Sequence, residues 1–245
     1  MAETPPKPGE WAVVTGANRG LGRAVAETLG RLGFRVLVGA RDAASGEAVA
    51  AAIRKEGGVA EFCPLDVTRE TDLGRLESAI RKSGTPVAVL VNNAGIYPES
   101  PRLRQTGMDS NPLRVPPTLL VESFTVNAVG AVRTIQVLAP HFRSGSRILN
   151  VSSQMASLAR MAGGSLGYRM SKTALNAATR VFAQAFADRG ILVNSVSPGW
   201  VRTDMGGTEA PRSIAEGIDT LIWIATDPHF GESGFFWQDR QKIDW

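Results

Sequence analysis

The sequence runs to 245 residues with a formal charge of +4, 43% hydrophobic and 20% charged residues, ordinary proportions for a globular chain. Its 26 glycines follow no three-residue period, which excludes a collagen-like chain, and no apolar run approaches the roughly 18 residues of a transmembrane helix. One cysteine (Cys63) and two distant histidines (His141, His229) supply no ligand set for a metal, and scattered Lys and Arg argue against nucleic acid. A lone thiol suits a reducing cytoplasm, and the weakly basic balance suits an anionic small molecule better than a membrane or a polynucleotide. Residues 1–10, proline-rich and without an apolar core, are expected to be a flexible tail and no secretory signal. Residues 11–245 read as one domain.

In chain order, short β-branched runs alternate with longer helical stretches. Buried strands are predicted at Trp11–Thr15, Arg35–Ala40, Ala60–Leu65, Val87–Val91, Arg147–Ser152 and Ile191–Val196, with a further strand within Gly234–Trp237. Helices are predicted at Leu21–Leu32, Ala43–Glu56, Arg69–Ser83, Thr118–Phe142, Tyr168–Asp188 and Ser213–Thr226. In the first of these, Leu21, Val25, Leu29 and Leu32 form the apolar stripe. Strands separated by crossover helices run parallel, so the pattern predicts an α/β fold with a mainly parallel, doubly wound sheet of about seven strands. Two irregular segments interrupt it. Ile96–Pro117 carries five prolines (Pro98, Pro101, Pro112, Pro116, Pro117), which cannot sustain a helix interior. Pro198–Pro211 carries Gly199, Gly206 and Gly207. Long irregular segments of this kind often carry function.

Thr15-Gly16-Ala17-Asn18-Arg19-Gly20-Leu21-Gly22 joins the first strand to the first helix. Glycines there let the backbone approach a pyrophosphate, and a helix N-terminus offers free N–H groups and a positive dipole end. Gly16, Asn18, Arg19, Gly20, Leu21 and Gly22 are therefore expected to line a dinucleotide. An acid that would bind the adenosine ribose is absent from the end of the second strand, which reads Gly39-Ala40-Arg41. Arg41 and Arg19 are placed to grip a 2′-phosphate, favouring NADPH/NADP+, although Asp42 could pair with Arg41 instead.

The turn at Thr15–Gly22, Asn92-Asn93-Ala94-Gly95, Tyr168-x-x-x-Lys172 and Pro198-Gly199, in this order, resemble the short-chain dehydrogenase/reductase family over nearly the whole chain. Pro198–Met205 and Gly234–Trp245 are most similar to its carbonyl reductases. The resemblance implies a Rossmann-type fold and NADPH-dependent reduction of ketones, aldehydes or quinones. It also implies a catalytic set of Asn127, Ser153, Tyr168 and Lys172. A lysine one helical turn after a tyrosine shares its face, and its ammonium is expected to lower the phenol pKa and ease proton transfer. Ser153, rather than Ser152, would hydrogen-bond the carbonyl oxygen, and Asn127 matches the asparagine that orders the lysine through a water.

By the same resemblance Asp66 and Val67 contact the adenine, and Asn93, Ala94 and Gly95 line the cofactor. Tyr168, Lys172, Pro198, Gly199, Val201 and Thr203 meet its nicotinamide half. Candidate substrate walls are Ser153, Gln154, Met155, Tyr168, Ile96, Tyr97 and Trp200 to Met205, with Met161 reaching in from the connection before Tyr168. Ser153 lies fifteen residues before Tyr168, an interval holding Gly163, Gly164 and Gly167. It lacks the long insertion of monomeric animal carbonyl reductases, so a homodimer or homotetramer is expected. An NADP(H)-binding regulator without turnover and an alcohol dehydrogenase working oxidatively are the alternatives.

Overall fold

The structure, a computed structural model, describes residues 4–99 and 111–245; Pro101 lies outside them. Its strands are β1 (Trp11–Thr15), β2 (Arg35–Ala40), β3 (Val59–Pro64), β4 (Val87–Asn92), β5 (Phe142–Val151), β6 (Leu192–Val196), β7 (Phe236–Gln238) and β8 (Gln241–Lys242). They form one sheet in the order β3-β2-β1-β4-β5-β6-β7-β8. The first seven run parallel, and β8 turns back antiparallel on β7. The sheet thus has one strand more than expected, a two-residue edge strand too short to leave a periodic signal.

The helices are α1 (Gly20–Arg31), α2 (Ala43–Lys55), α3 (Glu70–Ser83), α4 (Pro117–Phe124), α5 (Gly130–Leu138), α6 (Leu166–Ala185) and α7 (Ile214–Thr226). They cover both faces. Along β1, Ala12 and Val14 join a core with Val25 and Leu29 of α1, Ile53 of α2 and Leu221 and Ile224 of α7. Trp11 and Val13, pointing the other way, join Leu73, Leu76 and Ile80 of α3 with Ile135 and Leu138 of α5. This period-two division explains the near-continuous apolar strands: a parallel sheet is buried on both sides. Each fully buried aliphatic side chain contributes about 1.5–3 kcal/mol. No helix among the described residues is long and apolar enough to cross a membrane.

Two element bounds differ from those expected, and the segment before β1 makes contacts of its own. The segment before β1 is fastened from Thr4 onward: the Arg143 guanidinium donates to the carbonyls of Thr4 (2.6 Å) and Pro5 (3.0 Å) and to Glu10 Oε1 (2.7 Å). Gly9 N also donates to the Gly33 carbonyl. The single helix expected over Thr118–Phe142 is instead α4, a π-helical turn at Thr125–Val129, α5 and a 3₁₀ turn at Ala139–His141. Pro140 ends the helical run, because proline removes a donor and clashes with the preceding turn. Finally, β5 begins at Phe142 rather than Arg147: the polar Arg143–Ser146 stretch continues the strand, with Ser146 Oγ donating to the Val87 carbonyl. The other boundaries lie within three residues of those expected, close to the usual uncertainty at element ends.

The order of strands reverses between β1 and β4, so their C-terminal ends open a crevice between diverging connections.

Candidate active site

A cleft of about 1310 Å³ fills this crevice, larger than the 300–1,000 Å³ or so of ordinary small-ligand pockets and sized for a dinucleotide with a second molecule. One end is built by the glycine turn. Gly16 takes φ +63°, and a Cβ there would lie 2.9 Å from Ala94 Cα; a Cβ on Gly22 would collide with the Gly16 carbonyl. Helix α1 then starts at Gly20 with no side-chain cap and no acid in its first turn. Its free N–H groups and positive dipole end face the cleft, a cradle that fits a pyrophosphate.

The β4 end is sewn to this turn. Thr15 Oγ1 accepts from Asn93 N (3.1 Å) and Ala94 N (3.0 Å), and Asn93 Nδ2 donates to the carbonyls of Thr15 and Gly16, each at 3.0 Å. At the β2 end Arg41 is exposed on the cleft wall. Asp42 does not pair with it: the Asp42 carboxylate caps α2, and the hydrogen bonds it accepts from Ser45 Oγ and from Ser45 N (2.8 Å) hold it below the usual carboxylate range. Arg19 forms a 2.9 Å ion pair with Asp204, both largely exposed; such pairs contribute about 0–1 kcal/mol. Asp66 uses Oδ1 to accept from Thr68 N and Oγ1, and Val67 is buried beside Gly130.

At the other end, α6 places Tyr168 and Lys172 one turn apart, both buried. Lys172 Nζ donates to the Val151 carbonyl at 2.8 Å and lies 5.9 Å from the centre of the Tyr168 ring. Burial pulls the Lys172 ammonium down to about 8. Burial also pushes the Tyr168 phenol up to about 12, against a hydrogen bond with Ser153 that pulls down, while neighbouring Tyr97 pushes up. The expected lowering of the tyrosine by the lysine is therefore corrected: desolvation dominates, and the phenol keeps its proton.

Ser153 follows β5, its Oγ accepting from Met155 N at 3.2 Å. Ser197 Oγ ties this turn to the next, accepting from Gln154 N (3.1 Å) and Gly199 N (3.3 Å). Beyond Pro198-Gly199, Val201 packs against Gly217 of α7, and Thr203 Oγ1 accepts from Gly206 N. Trp200 is 56% exposed at the mouth, held by Nε1 donating to the Gly206 carbonyl at 2.8 Å.

Of the residues singled out from sequence, the cleft gathers Gly16, Asn18, Arg19, Gly20, Leu21, Gly22, Arg41, Asp66, Val67 and Asn93 to Tyr97. It also gathers Ser153 to Met155, Tyr168, Lys172 and Pro198 to Met205, apart from Arg202. Met161 is half-exposed outside it. Asn127 also lies behind the wall. From the π-helical turn, a feature frequent at functional sites, its Oδ1 accepts from Ile96 N (2.8 Å) and its Nδ2 donates to Ile96 O (2.9 Å) and Ser171 Oγ (3.0 Å). Its side chain thus orders the segment after β4, with Oδ1 and Lys172 Nζ both beside Gly95.

Sequence reasoning missed Glu99, whose buried carboxylate meets the first turn of α6. It also missed the buried chain Asn92–Asn150–Thr179–Ser195 linking β4, β5, α6 and β6. Neither has a spacing that could announce it.

Known proteins resemble this chain in sequence and fold. The chain is 35% identical over 198 residues to an uncharacterised oxidoreductase of Methylorubrum extorquens, covering 80% of this chain and 75% of that one. It is 29% identical to the rabbit (Oryctolagus cuniculus) carbonyl reductase [NADPH] 1, covering 96% and 98%. The NADPH-bound carbonyl reductase from chicken fatty liver superposes with a TM-score of 0.83 at 25% identity, covering 98% of this chain and all of the other. The family model for short chain dehydrogenases matches residues 10–213. This chain, an oxidoreductase by descent, belongs to the short-chain dehydrogenase family.

Proposed function

We propose that the protein is an NADPH-dependent carbonyl reductase, converting ketones, aldehydes or quinones to alcohols. The observation that carries this reading is the meeting of Ser153, Tyr168 and Lys172 at one end of a cleft whose other end is the glycine turn. The carbonyl reductases it resembles over nearly their full length support it.

The glycine turn and the α1 N-terminus hold the pyrophosphate, with Asn18 and Leu21 beside it. Asp66 and Val67 flank the adenine, Val201 and Thr203 hold the carboxamide, and Lys172 meets the ribose next to it. When bound, NADPH supplies the hydride that reaches the carbonyl carbon. Ser153 Oγ donates a hydrogen bond to the carbonyl oxygen as negative charge develops there, and the Tyr168 hydroxyl delivers its proton to that oxygen. A phenol pushed up to about 12 is fully protonated near neutrality, the state a proton donor requires. A lysine at about 8 keeps most of its charge there and favours the tyrosinate left behind.

Arg41 and Arg19 set the cofactor preference. With Asp42 committed to capping α2, nothing negative stands where a ribose-binding acid would, and the weak Arg19–Asp204 pair yields readily to a phosphate. Arg41→Asp is expected to weaken NADPH binding about 10–100-fold, the loss of a charge-assisted contact, while changing NADH binding less than about threefold. Fluorescence titration with both cofactors measures this; equal weakening removes Arg41 from the role.

The substrate wall, Gln154, Met155, Tyr97, Trp200 and Met205, is a flexible apolar surface suited to bulky carbonyl compounds. Because Trp200 stands exposed at the mouth, Trp200→Ala is expected to shift the kcat/KM ratio of acetophenone to butanone about tenfold. NADPH affinity should stay unchanged. A uniform loss for both ketones would instead give Trp200 a packing role.

Oxidation of NADPH, and separately of NADH, against acetophenone, benzaldehyde, menadione and a 3-ketosteroid tests the proposal as a whole. NADPH-dependent turnover with at least one compound supports a reductase. Tight NADPH binding with no turnover on any of them would point to a sensor.

A further inference from the structure

The segment Ile96–Glu99, between β4 and the catalytic helix, grips the start of α6 at several points. Glu99 is 2% exposed, and its carboxylate grips that helix with both oxygens: Oε1 accepts from Gly167 N at 2.9 Å and Oε2 from Tyr168 N at 2.8 Å. Two residues earlier, the Tyr97 ring lies on the Tyr168 ring, centroids 4.3 Å apart and planes 30° apart. The Tyr97 hydroxyl lies 2.6 Å from Ser165 Oγ. Ser165 itself precedes α6 at φ +54° with its side chain capping no backbone N–H of the helix, a left-handed conformation few non-glycine residues adopt. Ile96 completes the grip through its paired bonds with Asn127.

We propose that Glu99 is a positioning residue for the reaction: it fixes the backbone of Tyr168, and with it the height of the phenol above the reacting carbonyl. A helix start can be capped cheaply by a local Ser or Asp. A carboxylate carried in from another loop and removed from water is costly unless fully paired, and here one oxygen is paired with the residue proposed to give the proton and the other with the residue just before it. Lys172, one turn further on, has its own anchor in the Val151 carbonyl. Loss of Glu99 should therefore move Tyr168 while leaving the lysine and the glycine turn in place. The inference rests on Tyr168 being the proton donor.

The test measures kcat, the solvent deuterium isotope effect on kcat, and NADPH affinity in the full chain, for wild type, Glu99→Gln, Glu99→Ala and Tyr168→Phe. The substrate is whichever of acetophenone, benzaldehyde, menadione or the 3-ketosteroid wild type turns over fastest, and rates are normalised to NADPH-binding sites. Gln keeps one acceptor on the two N–H groups and Ala keeps none. The expected order is a loss of about tenfold for Gln and about 10²-fold for Ala, the scale of an ångström's misplacement of a reacting group. NADPH affinity should stay within about twofold, and the isotope effect should rise as proton transfer becomes limiting. Rates per binding site within about twofold of wild type for both Glu99 variants, with Tyr168→Phe inactive, would overturn the role of Glu99 alone. So would a loss of rate with an unchanged isotope effect. An active Tyr168→Phe would overturn the proton-donor assignment and this inference with it.

Discussion

Tyr168→Phe is expected to reduce turnover about 10²–10⁴-fold, the range general acid catalysis contributes, while leaving the NADPH dissociation constant within about twofold of wild type. The separation follows from where the hydroxyl sits. The ring packs on Tyr97 and the backbone N–H is held by Glu99, so phenylalanine keeps every packing and backbone contact. What disappears is the group that hydrogen-bonds with Ser153 and holds a proton up to about 12. Stopped-flow reduction alongside fluorescence titration of NADPH measures both quantities. Near-normal reduction by the variant would remove Tyr168 from the chemistry.

Lys172 is expected to behave differently, because it serves cofactor and proton alike. Lys172→Ala should lose about 10²-fold or more in turnover and also weaken NADPH binding, since the ammonium lines the cleft and is proposed to meet the ribose. The same side chain should set the alkaline limb of reduction. Burial lowers Lys172 from 10.5 to about 8, whereas Tyr168 titrates only near 12. As pH rises through about 8 the lysine loses its charge first, so kcat/KM for reduction should be flat near neutrality and fall above pH 8. Lys172→Arg, whose guanidinium does not titrate in this range, should flatten that limb whatever its absolute rate. A limb that stays in place in Lys172→Arg would assign it to another group.

Much of this arrangement was legible from the residues alone, for a physical reason. Strands of a sheet buried on both faces must be apolar throughout, so β1, β2, β4 and β6 stand out within a residue or two. Gly16, Gly20 and Gly22 mark a backbone that no Cβ would fit or that turns left-handed, and the i, i+4 spacing of Tyr168 and Lys172 puts them on one helix face. What escaped notice depends on contacts far apart in sequence. The polar Arg143–Ser146 stretch carries no apolar run, yet continues β5, where Ser146 bonds across to Val87. The π-helical turn at Thr125–Val129 leaves no mark on an apolar period, yet it buries Asn127 against Ile96. Glu99 is one acid in a proline-rich connection, and only the folded chain brings it 68 residues forward to Gly167. The direction of the Tyr168 shift was equally invisible, because it is set by burial rather than by the neighbouring lysine that spacing makes obvious.

The most direct measurement follows the hydride itself. Wild-type protein is given NADPH carrying deuterium at both C4 positions of the nicotinamide, together with a ketone or aldehyde it reduces, and the alcohol is analysed by mass spectrometry and NMR. The account predicts one deuterium per molecule of product, on the carbinol carbon, formed in step with NADPH oxidation and lost in Tyr168→Phe. NADPH oxidised without deuterium appearing at that carbon, or no alcohol formed from any ketone or aldehyde of the panel, would contradict it.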